Sequence, residues 1–214
     1  MNFDLFVDTS RKGISMALLQ TGEADPRYLE TVDESARGET ASALLDALLE
    51  KAGASLDDIT RVMVTLGPGS FSGLRTGVAF CEGLCFSGKR KLYGVSTLQA
   101  LACFAPIPEN AGVIVRARKG FWYMRESGKA PTELFIETDE VLRRLQNQKI
   151  DTLVIDDAII GDEALSAYIA SSGIETINEK GQPLSRWQIL FDKVSPSLTQ
   201  EANYIQPSYF EKLH

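Results

Sequence analysis

The stretch RVMVTLGPGSFSGLRTG, residues 61–77, joins two kinds of secondary structure through a glycine-rich turn. The apolar run before the turn is typical of a buried strand, and the run from Gly73 to about Ser87 predicts a helix. A glycine-rich turn at the N-terminus of a helix is a common place for proteins to hold phosphate. The stretch therefore raises two hypotheses for the turn, nucleotide binding and close packing.

The rest of the first half alternates between strand and helix patterns. The predicted elements are strands at 3–9, 14–20, 27–33 and 91–96 and helices at 39–52 and from about Thr97. Helix 39–52 has apolar residues at a period of 3.6 and is stopped by Gly53. The first half therefore has the order β-β-β-α-β-α-β-α.

The same order recurs after the proline-containing segment 104–112, which we interpret as a boundary. A hairpin turning at Lys119-Gly120 opens the second half, and a last helix is predicted through SRWQILFDKV at 185–194. Three strands followed by alternating helices is the order of the ribonuclease-H-like half-domain of actin, Hsp70 and sugar kinases. The sequence therefore predicts an α/β protein of the actin-like (ASKHA) fold, with subdomains at 1–104 and 105–214.

Composition narrows the classes of function. The formal net charge is −7 with a sequence pI near 4.9, so the basic stripe of an autonomous nucleic-acid binder is missing. No apolar run is long enough for a membrane span, and the N-terminus lacks the pattern of a signal peptide. Three cysteines without framework spacing suit a reducing compartment. We expect a cytoplasmic protein that does not contact a membrane. We expect it to meet nucleic acid only through a partner.

Actin-like enzymes hold the phosphates of ATP between two hairpin turns, and the first turn here carries Asp8, Thr9 and Ser10. These residues suit either a magnesium-bound phosphate or the closing of a strand end by bonds to the turn backbone. In the second hairpin the expected acidic position is occupied by Arg116. Because magnesium and the polyphosphate need both sides, we predict no competent ATPase and no cofactor.

The glycine-rich turn also lacks the Gly-Lys-Ser/Thr ending of a P-loop, so no lysine reaches a phosphate. The structural interpretation assigns its glycines to backbone angles that other residues resist and one of its serines to capping the helix. The glycines concerned are Gly67, Gly69 and Gly73, and the capping residue is Ser70 or Ser72. Arg75 lies in the first helical turn, within reach of an anion or a carboxylate.

Other chemistries have less support. The only histidine is His214, which excludes a Ser/His/Asp triad and a histidine metal cluster. Cys81 and Cys85 share one helical face, either as buried small residues or as two ligands of an incomplete metal site. The segment RARKGFWYMR at 116–125 suits either base stacking or a twisted hairpin with one aromatic face in the core.

Small residues recur every four positions on the second predicted helix, at Gly73, Gly77 and Cys81. Because such spacing lets another helix approach closely, we predict an interface that uses helices 39–52 and 73–87 together. The candidate interface residues are Ala43, Leu44, Ala47, Leu48, Gly73, Leu74, Gly77, Val78 and Cys81.

The segment GPGSFSGLRTGVAFCEGLCFSGKRKLYGVSTLQALA, residues 67–102, closely resembles the signature of the bacterial TsaB family, also called YeaZ. FVDTS near the N-terminus and RARKGFWY in the second hairpin are similar to the IDTS and DARKGEVY-like segments of that family. The resemblance is strong over 1–105 and looser afterwards.

The resemblance implies an actin-like scaffold without an active site of its own. It implies support of TsaD, the catalytic relative that transfers a threonylcarbamoyl group to tRNA adenosine next to the anticodon, with TsaE as the ATPase of the assembly. It also implies a homodimer when alone, contacts through the two helices, and only indirect contact with tRNA. The chain departs from the family at Arg116 and where many members carry a histidine before the first helix. The alternatives are a glycoprotease-type metalloenzyme, a weak ATP binder at Asp8–Ser10 and an unrelated α/β binding module.

Overall fold

Ten strands form two five-stranded sheets in the computed structural model, which describes residues 1–22, 27–34, 40–128, 130–148 and 150–205. The strands of the first sheet are β1 (Asn2–Asp8), β2 (Ile14–Thr21), β3 (Tyr28–Asp33), β4 (Ile59–Thr65) and β5 (Lys91–Val95). Those of the second sheet are β6 (Ala111–Arg118), β7 (Phe121–Arg125), β8 (Glu133–Glu137), β9 (Thr152–Ile155) and β10 (Glu175–Asn178).

The helices follow the strands as the sequence predicts. The α-helices are α1 (Ala41–Ala52), α2 (Phe71–Cys85), α3 (Thr97–Ala102), α4 (Thr138–Asn147) and α5 (Glu163–Ser172). Short 3-10 helices lie at Leu56–Asp58, Pro108–Asn110, Asp157–Gly161 and Leu184–Asp192. Of the helices in the described ranges, not one has the length and apolar character needed to cross a membrane.

Both sheets have the same strand order. The first is β3-β2-β1-β4-β5 and the second is β8-β7-β6-β9-β10. In each, the first three strands pair antiparallel and the last two join in parallel. Parallel pairing needs a crossover connection, which α1 and α2 supply in the first sheet. The predicted actin-like fold with two related halves is confirmed.

The two helices α1 and α2 cover one face of the first sheet. Alternate residues of β1 point toward them, and these form one buried cluster with the inner sides of both helices. The members from β1 are Phe3, Leu5 and Val7, and those from the helices are Leu45, Leu48, Leu49, Cys81 and Cys85. Gly53 ends α1 with a φ of 63°, which confirms its predicted role as a helix stop.

The opposite face of the first sheet is covered by the 3-10 helix Leu184–Asp192. Phe6 on β1 packs against Trp187 and Phe191, with ring centroids 6.5 Å and 5.7 Å away. Tyr93 on β5 meets Phe191 edge-on at 4.8 Å. These contacts bring a segment from the end of the chain back to the first sheet.

The compact units therefore differ from the predicted division at residue 104. One unit contains Met1–Thr97 together with Pro183–Tyr204, and the other contains Leu98–Gln182. The predicted last helix is a 3-10 helix, and it packs with the first unit because its aromatic side chains fill the free face of that sheet. The proline-rich segment 104–112 lies inside the second unit.

A hydrogen-bonded pair on β3 fixes the start of this returning segment. The Tyr28 hydroxyl donates to the carboxylate of Glu30 and accepts from the backbone N–H of Leu184 at 2.9 Å. Burial, and next the Glu30 carboxylate, raise the pKa of Tyr28. Burial also raises the pKa of Glu30 above its ordinary value, against the opposing effect of its hydrogen bonds.

The raised pKa of Glu30 predicts a pH dependence of stability. The folded chain holds the Glu30 proton more tightly than the unfolded chain does. The protonated carboxyl group therefore contributes its full stabilisation below the ordinary carboxylate pKa, and this stabilisation is lost as pH rises through the pKa of Glu30 in the folded chain. Glu30→Gln stays neutral and keeps an oxygen for Tyr28. We expect its melting temperature, measured from pH 4 to pH 8, to fall less with rising pH than that of the wild type. Parallel curves for the two proteins would contradict this assignment.

Candidate functional site

The β1–β2 turn, where the sequence places Asp8, Thr9 and Ser10, is held by bonds within the first unit. Asp8 Oδ1 accepts from the backbone N–H of Ser10 at 2.9 Å and from the Thr65 hydroxyl at 2.7 Å. These are the contacts of a carboxylate that closes the ends of two neighbouring strands. Thr9 and Ser10 are buried, and their hydroxyls have no hydrogen-bond partner in the described part of the chain.

The N-terminus of α2 lies directly against this turn. The backbone N–H of Ser70 donates to the Ser10 carbonyl at 2.7 Å. A Cβ added at Gly69 would lie less than 3.0 Å from that same carbonyl oxygen, and one added at Gly73 would be as close to the Thr9 carbonyl oxygen. Both are closer than real Cβ atoms approach other atoms. At this end of α2 the Ser70 N–H is therefore already bonded to the protein, and the turn backbone occupies the space beside Gly69 and Gly73.

Only part of the structural interpretation of the glycine-rich turn is confirmed. Ser70 is the cap of α2, and its hydroxyl accepts from the Gly73 N–H at 3.3 Å. Gly67 has a φ of 114°, which favours glycine, but neither Gly69 nor Gly73 has a positive φ. These two glycines serve the close approach of the β1–β2 turn instead. Arg75 is exposed, and its guanidinium carbon lies 5.3 Å from the centre of the Phe71 ring.

The small-residue face of α2 points into the protein, which corrects the interface prediction. A Cβ at Gly77 would lie less than 3.0 Å from the Thr9 hydroxyl oxygen, and Cys81 is buried in the cluster beneath the helix. The other predicted interface residues that are buried within the chain are Leu48, Leu74 and Val78. The i, i+4 spacing of Gly73, Gly77 and Cys81 lets α2 pack on its own β1–β2 turn and sheet, and it does not thin the helix for a neighbouring chain.

A different set of small residues faces outward on the two helices. On α2 the exposed side chains include Ser72, Ala79 and Gly83, and a Cβ at Gly83 would meet no atom within 4 Å. Phe86, directly after α2, is 90% exposed. On α1 the exposed residues are Ser42, Ala43, Asp46, Ala47, Glu50 and Lys51, while Leu44 is half-buried. Of the predicted interface residues, Ala43 and Ala47 thus remain on the surface, with Leu44 and Gly73 partly so.

The sequence shows small residues at Ala79 and Gly83 as well as at Gly73 and Gly77, but it leaves open which of the two rows faces outward. Ala79 and Gly83 lie one turn apart, as Gly73 and Gly77 do, and spacing alone does not tell which stripe faces the sheet. Phe86 was the available signal. A large apolar residue that follows Gly83 by three positions falls on the same face of the helix.

The second hairpin has no carboxylate on β6, as the sequence predicts, and Arg116 is fixed there. Its backbone N–H donates to Asp156 Oδ2 at 2.8 Å, and its guanidinium donates to the Ala158 carbonyl at 2.7 Å while covering the Trp122 ring at 4.4 Å. Asp156 also caps the 3-10 helix after β9 by accepting from the Ala158 N–H at 3.2 Å. The Asp156 carboxylate is therefore engaged in local structure.

The aromatic segment of the hairpin divides between core and surface. Trp122 and Met124 belong to the buried cluster beneath α4 and α5. Phe121 is half-buried, stacks on Phe135 with a centroid distance of 5.0 Å and lies under the exposed Arg118 at 4.3 Å. The twisted hairpin with one aromatic face in the core is what the segment forms.

The cysteines are buried free thiols in the chain's interior. Burial raises the pKa of Cys85 to about 11 and that of Cys81 well above its ordinary value, so both remain protonated at neutral pH. Across the described ranges no three His, Cys, Asp or Glu side chains are grouped in a way that would hold a metal ion. His214 and residues 35–39, where many family members carry the histidine, lie outside the described residues.

Comparison with known proteins connects this arrangement to a family. Residues 35–158 match the family model of TsaD, tRNA N6-adenosine threonylcarbamoyltransferase. The chain belongs to this family. Curated relatives named TsaB, for tRNA threonylcarbamoyladenosine biosynthesis protein, assign the chain to the TsaB (YeaZ) members of the family.

Two of these TsaB relatives and one solved structure illustrate the similarity. TsaB of Escherichia coli is 27% identical over 158 residues, 66% of this chain and 65% of that protein. TsaB of Haemophilus influenzae is 30% identical over 98 residues, 46% of this chain and 41% of that protein. YeaZ from Pseudomonas aeruginosa has a TM-score of 0.65 at 21% identity, covering 98% of this chain and all of that one, which shows the shared fold. The TsaB match thus spans less than two thirds of either relative's length.

Proposed function

We propose that the chain is a non-catalytic subunit that binds and supports a TsaD-type threonylcarbamoyltransferase in the formation of threonylcarbamoyladenosine in tRNA, next to the anticodon. The carrying observation is the close contact at the start of α2, where the carbonyl oxygens of Thr9 and Ser10 lie against the N-terminal turn of the helix. The printed names of its TsaB relatives support the same biosynthetic role. We infer that a chain whose own turn backbone takes up this space contributes to such a system through a partner.

The outward faces of α1 and α2 are the surface that suits such a partner. Helices of another chain can pack closely on this surface because its exposed residues are small. These residues are Ala43, Ala47, Ala79 and Gly83. Phe86 projects from its end as a large exposed apolar side chain. A hydrophobic residue of this size beside small residues is typical of a protein-binding surface. We place the contact with the TsaD-type subunit here, and a TsaE-type ATPase completes the assembly.

Two alternative functions have less support. A glycoprotease-type metalloenzyme needs a ligand cluster, and the described residues contain none. Weak ATP binding at Asp8–Ser10 needs a carboxylate that is free to orient a magnesium-bound water. In this chain Asp8 Oδ1 accepts hydrogen bonds from Ser10 and Thr65 instead. A homodimer through the same outward faces is compatible with the proposal, since a second copy and a TsaD-type subunit would compete for one surface.

Enlarging the outward face of α2 tests the proposal. Gly83→Gln adds a side chain whose Cβ meets no atom within 4 Å, and glutamine favours the helix over glycine, so we expect folding to be retained. We expect it to weaken binding to the cognate TsaD-type subunit about tenfold or more, a loss of about 1.4 kcal/mol, as measured by titration calorimetry. Ala170→Gln, an equivalent enlargement of an exposed position on α5, should bind like the wild type.

Three outcomes would overturn the proposal. The first is a Gly83→Gln variant that binds as well as the wild type. The second is saturable heat when the isolated chain is titrated with Mg-ATP to about 1 mM, the affinity expected of a working nucleotide site. The third is threonylcarbamoyl transfer to tRNA by the TsaD-type subunit and the ATPase that does not change when this chain is left out.

A further inference from the structure

The chain's last described segment crosses the first unit as an extended strap, residues 197–204. Its first residue, Ser197, donates its backbone N–H to the Leu92 carbonyl on β5 at 2.9 Å. Near its end, the Asn203 N–H donates to the Leu66 carbonyl at 2.6 Å, in the loop before α2. In between, the Gln200 N–H donates to Glu82 Oε1 on α2 at 2.8 Å. The strap is therefore attached to β5, to α2 and to the glycine-rich turn.

Two glycines make room for this strap. A Cβ at Gly94 on β5 would lie less than 3.0 Å from the Gln200 side-chain oxygen, and one at Gly67 would be as close to the Asn203 carbonyl oxygen. Larger residues at either position would push the strap away. Its path is therefore specified by residues of the first unit that lie more than 100 positions earlier in the chain.

The strap ends in an exposed aromatic cluster at the N-terminal end of α2. The Tyr204 ring packs on the Phe71 ring with a centroid distance of 4.8 Å, and the Arg75 guanidinium lies over the same Phe71 ring. Phe71 is 56% exposed and Tyr204 is 43% exposed, even in contact with each other. Arg75 forms no ion pair among the described residues. We name these three residues the aromatic cluster.

We infer that the aromatic cluster is an anchor of the partner-binding surface and that the strap is present to supply Tyr204 to it. The inference rests on the proposed function, and the occupant is the TsaD-type subunit. Tyrosine and arginine are enriched among the few interface residues that carry most of the binding energy. The unpaired Arg75 selects a partner patch that presents a carboxylate, and the two rings select an apolar side chain beside it.

The position of the aromatic cluster favours this occupant. Arg75 follows Ser72 by three residues and precedes Ala79 by four, so it lies on the same face of α2 as these small outward residues. The aromatic cluster is thus continuous with the surface proposed for the TsaD-type subunit. The strap contributes little to the core, because its side chains are mostly exposed. A structural role alone does not require an aromatic residue at its end.

Removing the Tyr204 ring in the full-length protein tests the inference. Tyr204→Ala is expected to weaken binding to the TsaD-type subunit about tenfold, while its melting temperature stays close to that of the wild type. Tyr204→Phe keeps the ring and should bind nearly as well as the wild type. Leu198→Ala, which truncates a strap side chain that is 65% exposed, is the matched control and should leave the affinity unchanged. Arg75→Gln should lower the association rate and reduce its dependence on salt.

Comparing the Tyr204→Ala result with the Gly83→Gln result distinguishes failure of this inference from failure of the proposed function. If Gly83→Gln weakens binding and Tyr204→Ala does not, the aromatic cluster is not an anchor, yet the partner surface stands. If neither variant weakens binding, the proposed function fails with it. Tighter binding by Tyr204→Ala would also overturn the inference, since the strap would then cover the partner surface. An equal loss of affinity in Leu198→Ala would overturn it as well, since the strap would then be a general structural support.

Discussion

The substitution Gly73→Ala is expected to lower the free energy of unfolding of the first unit by about 2 to 3 kcal/mol. A Cβ there would lie less than 3.0 Å from the Thr9 carbonyl oxygen, which is backbone and cannot rotate away as a side chain can. Inserting a single carbon atom into such a contact forces α2 and the β1–β2 turn apart. The gain of about 1 kcal/mol that alanine brings to a helix offsets only part of this cost. Urea denaturation followed by circular dichroism measures the difference.

Gly83 in the same helix provides the matched control. A Cβ at this position meets nothing within 4 Å, so the helix preference of alanine acts alone. Gly83→Ala should therefore raise the free energy of unfolding by about 0.5 to 1 kcal/mol. Opposite signs at the two glycines follow from their surroundings, because the β1–β2 turn lies against Gly73 and open space surrounds Gly83. A stabilising effect of alanine at both positions would mean that α2 does not pack on the β1–β2 turn as described.

Arg61→Ala is expected to lower the free energy of unfolding by about 3 kcal/mol. Asp4 on β1 is 0% exposed, and Arg61 on β4 binds it through two hydrogen bonds of 2.7 Å and 2.5 Å. Removing the guanidinium leaves a buried carboxylate without its counter-charge. It also removes the cation that lies 4.1 Å from the Phe191 ring, where the returning 3-10 helix covers the sheet.

Two further variants identify the cause of this loss. Replacing both partners with apolar residues, as in Asp4→Leu with Arg61→Met, should recover most of the stability, because no buried charge remains unpaired. Lys89→Ala removes an ion pair with Asp57 in which both side chains are exposed, and should change stability by less than about 0.5 kcal/mol. A loss in the double variant as large as that of Arg61→Ala alone would assign the effect to packing around Phe191.

Local patterns in the sequence predicted the strands and helices closely. The apolar runs at 3–9 and 14–20 became Asn2–Asp8 and Ile14–Thr21, because hairpin strands are specified by neighbours in the chain. Helix 73–87 is found at Phe71–Cys85, two residues earlier, since the capping hydroxyl of Ser70 starts it. Repetition of the same element order was enough to predict two sheets of one topology.

Features that depend on distant contacts could not be predicted in this way. The 3-10 helix at Leu184–Asp192 has apolar residues suited to a helix, and only the free face of the first sheet decides where it packs. The direction of the small-residue face of α2 depends likewise on a turn more than 60 residues away. In the site, Ser70 and the engaged Asp8 follow from local chemistry. The contact of Gly69 and Gly73 with backbone carbonyls cannot be predicted from the sequence, because every residue has a backbone carbonyl whatever its side chain is.

The two peptide oxygens that lie against the start of α2 restrict how this chain can evolve. Peptide oxygens are present whatever amino acid the gene encodes, so no single codon change at positions 9 or 10 removes them. Moving these oxygens away from α2 would require an insertion or deletion that reroutes the first hairpin. A single substitution at either position therefore changes a side chain and leaves both oxygens in place against α2.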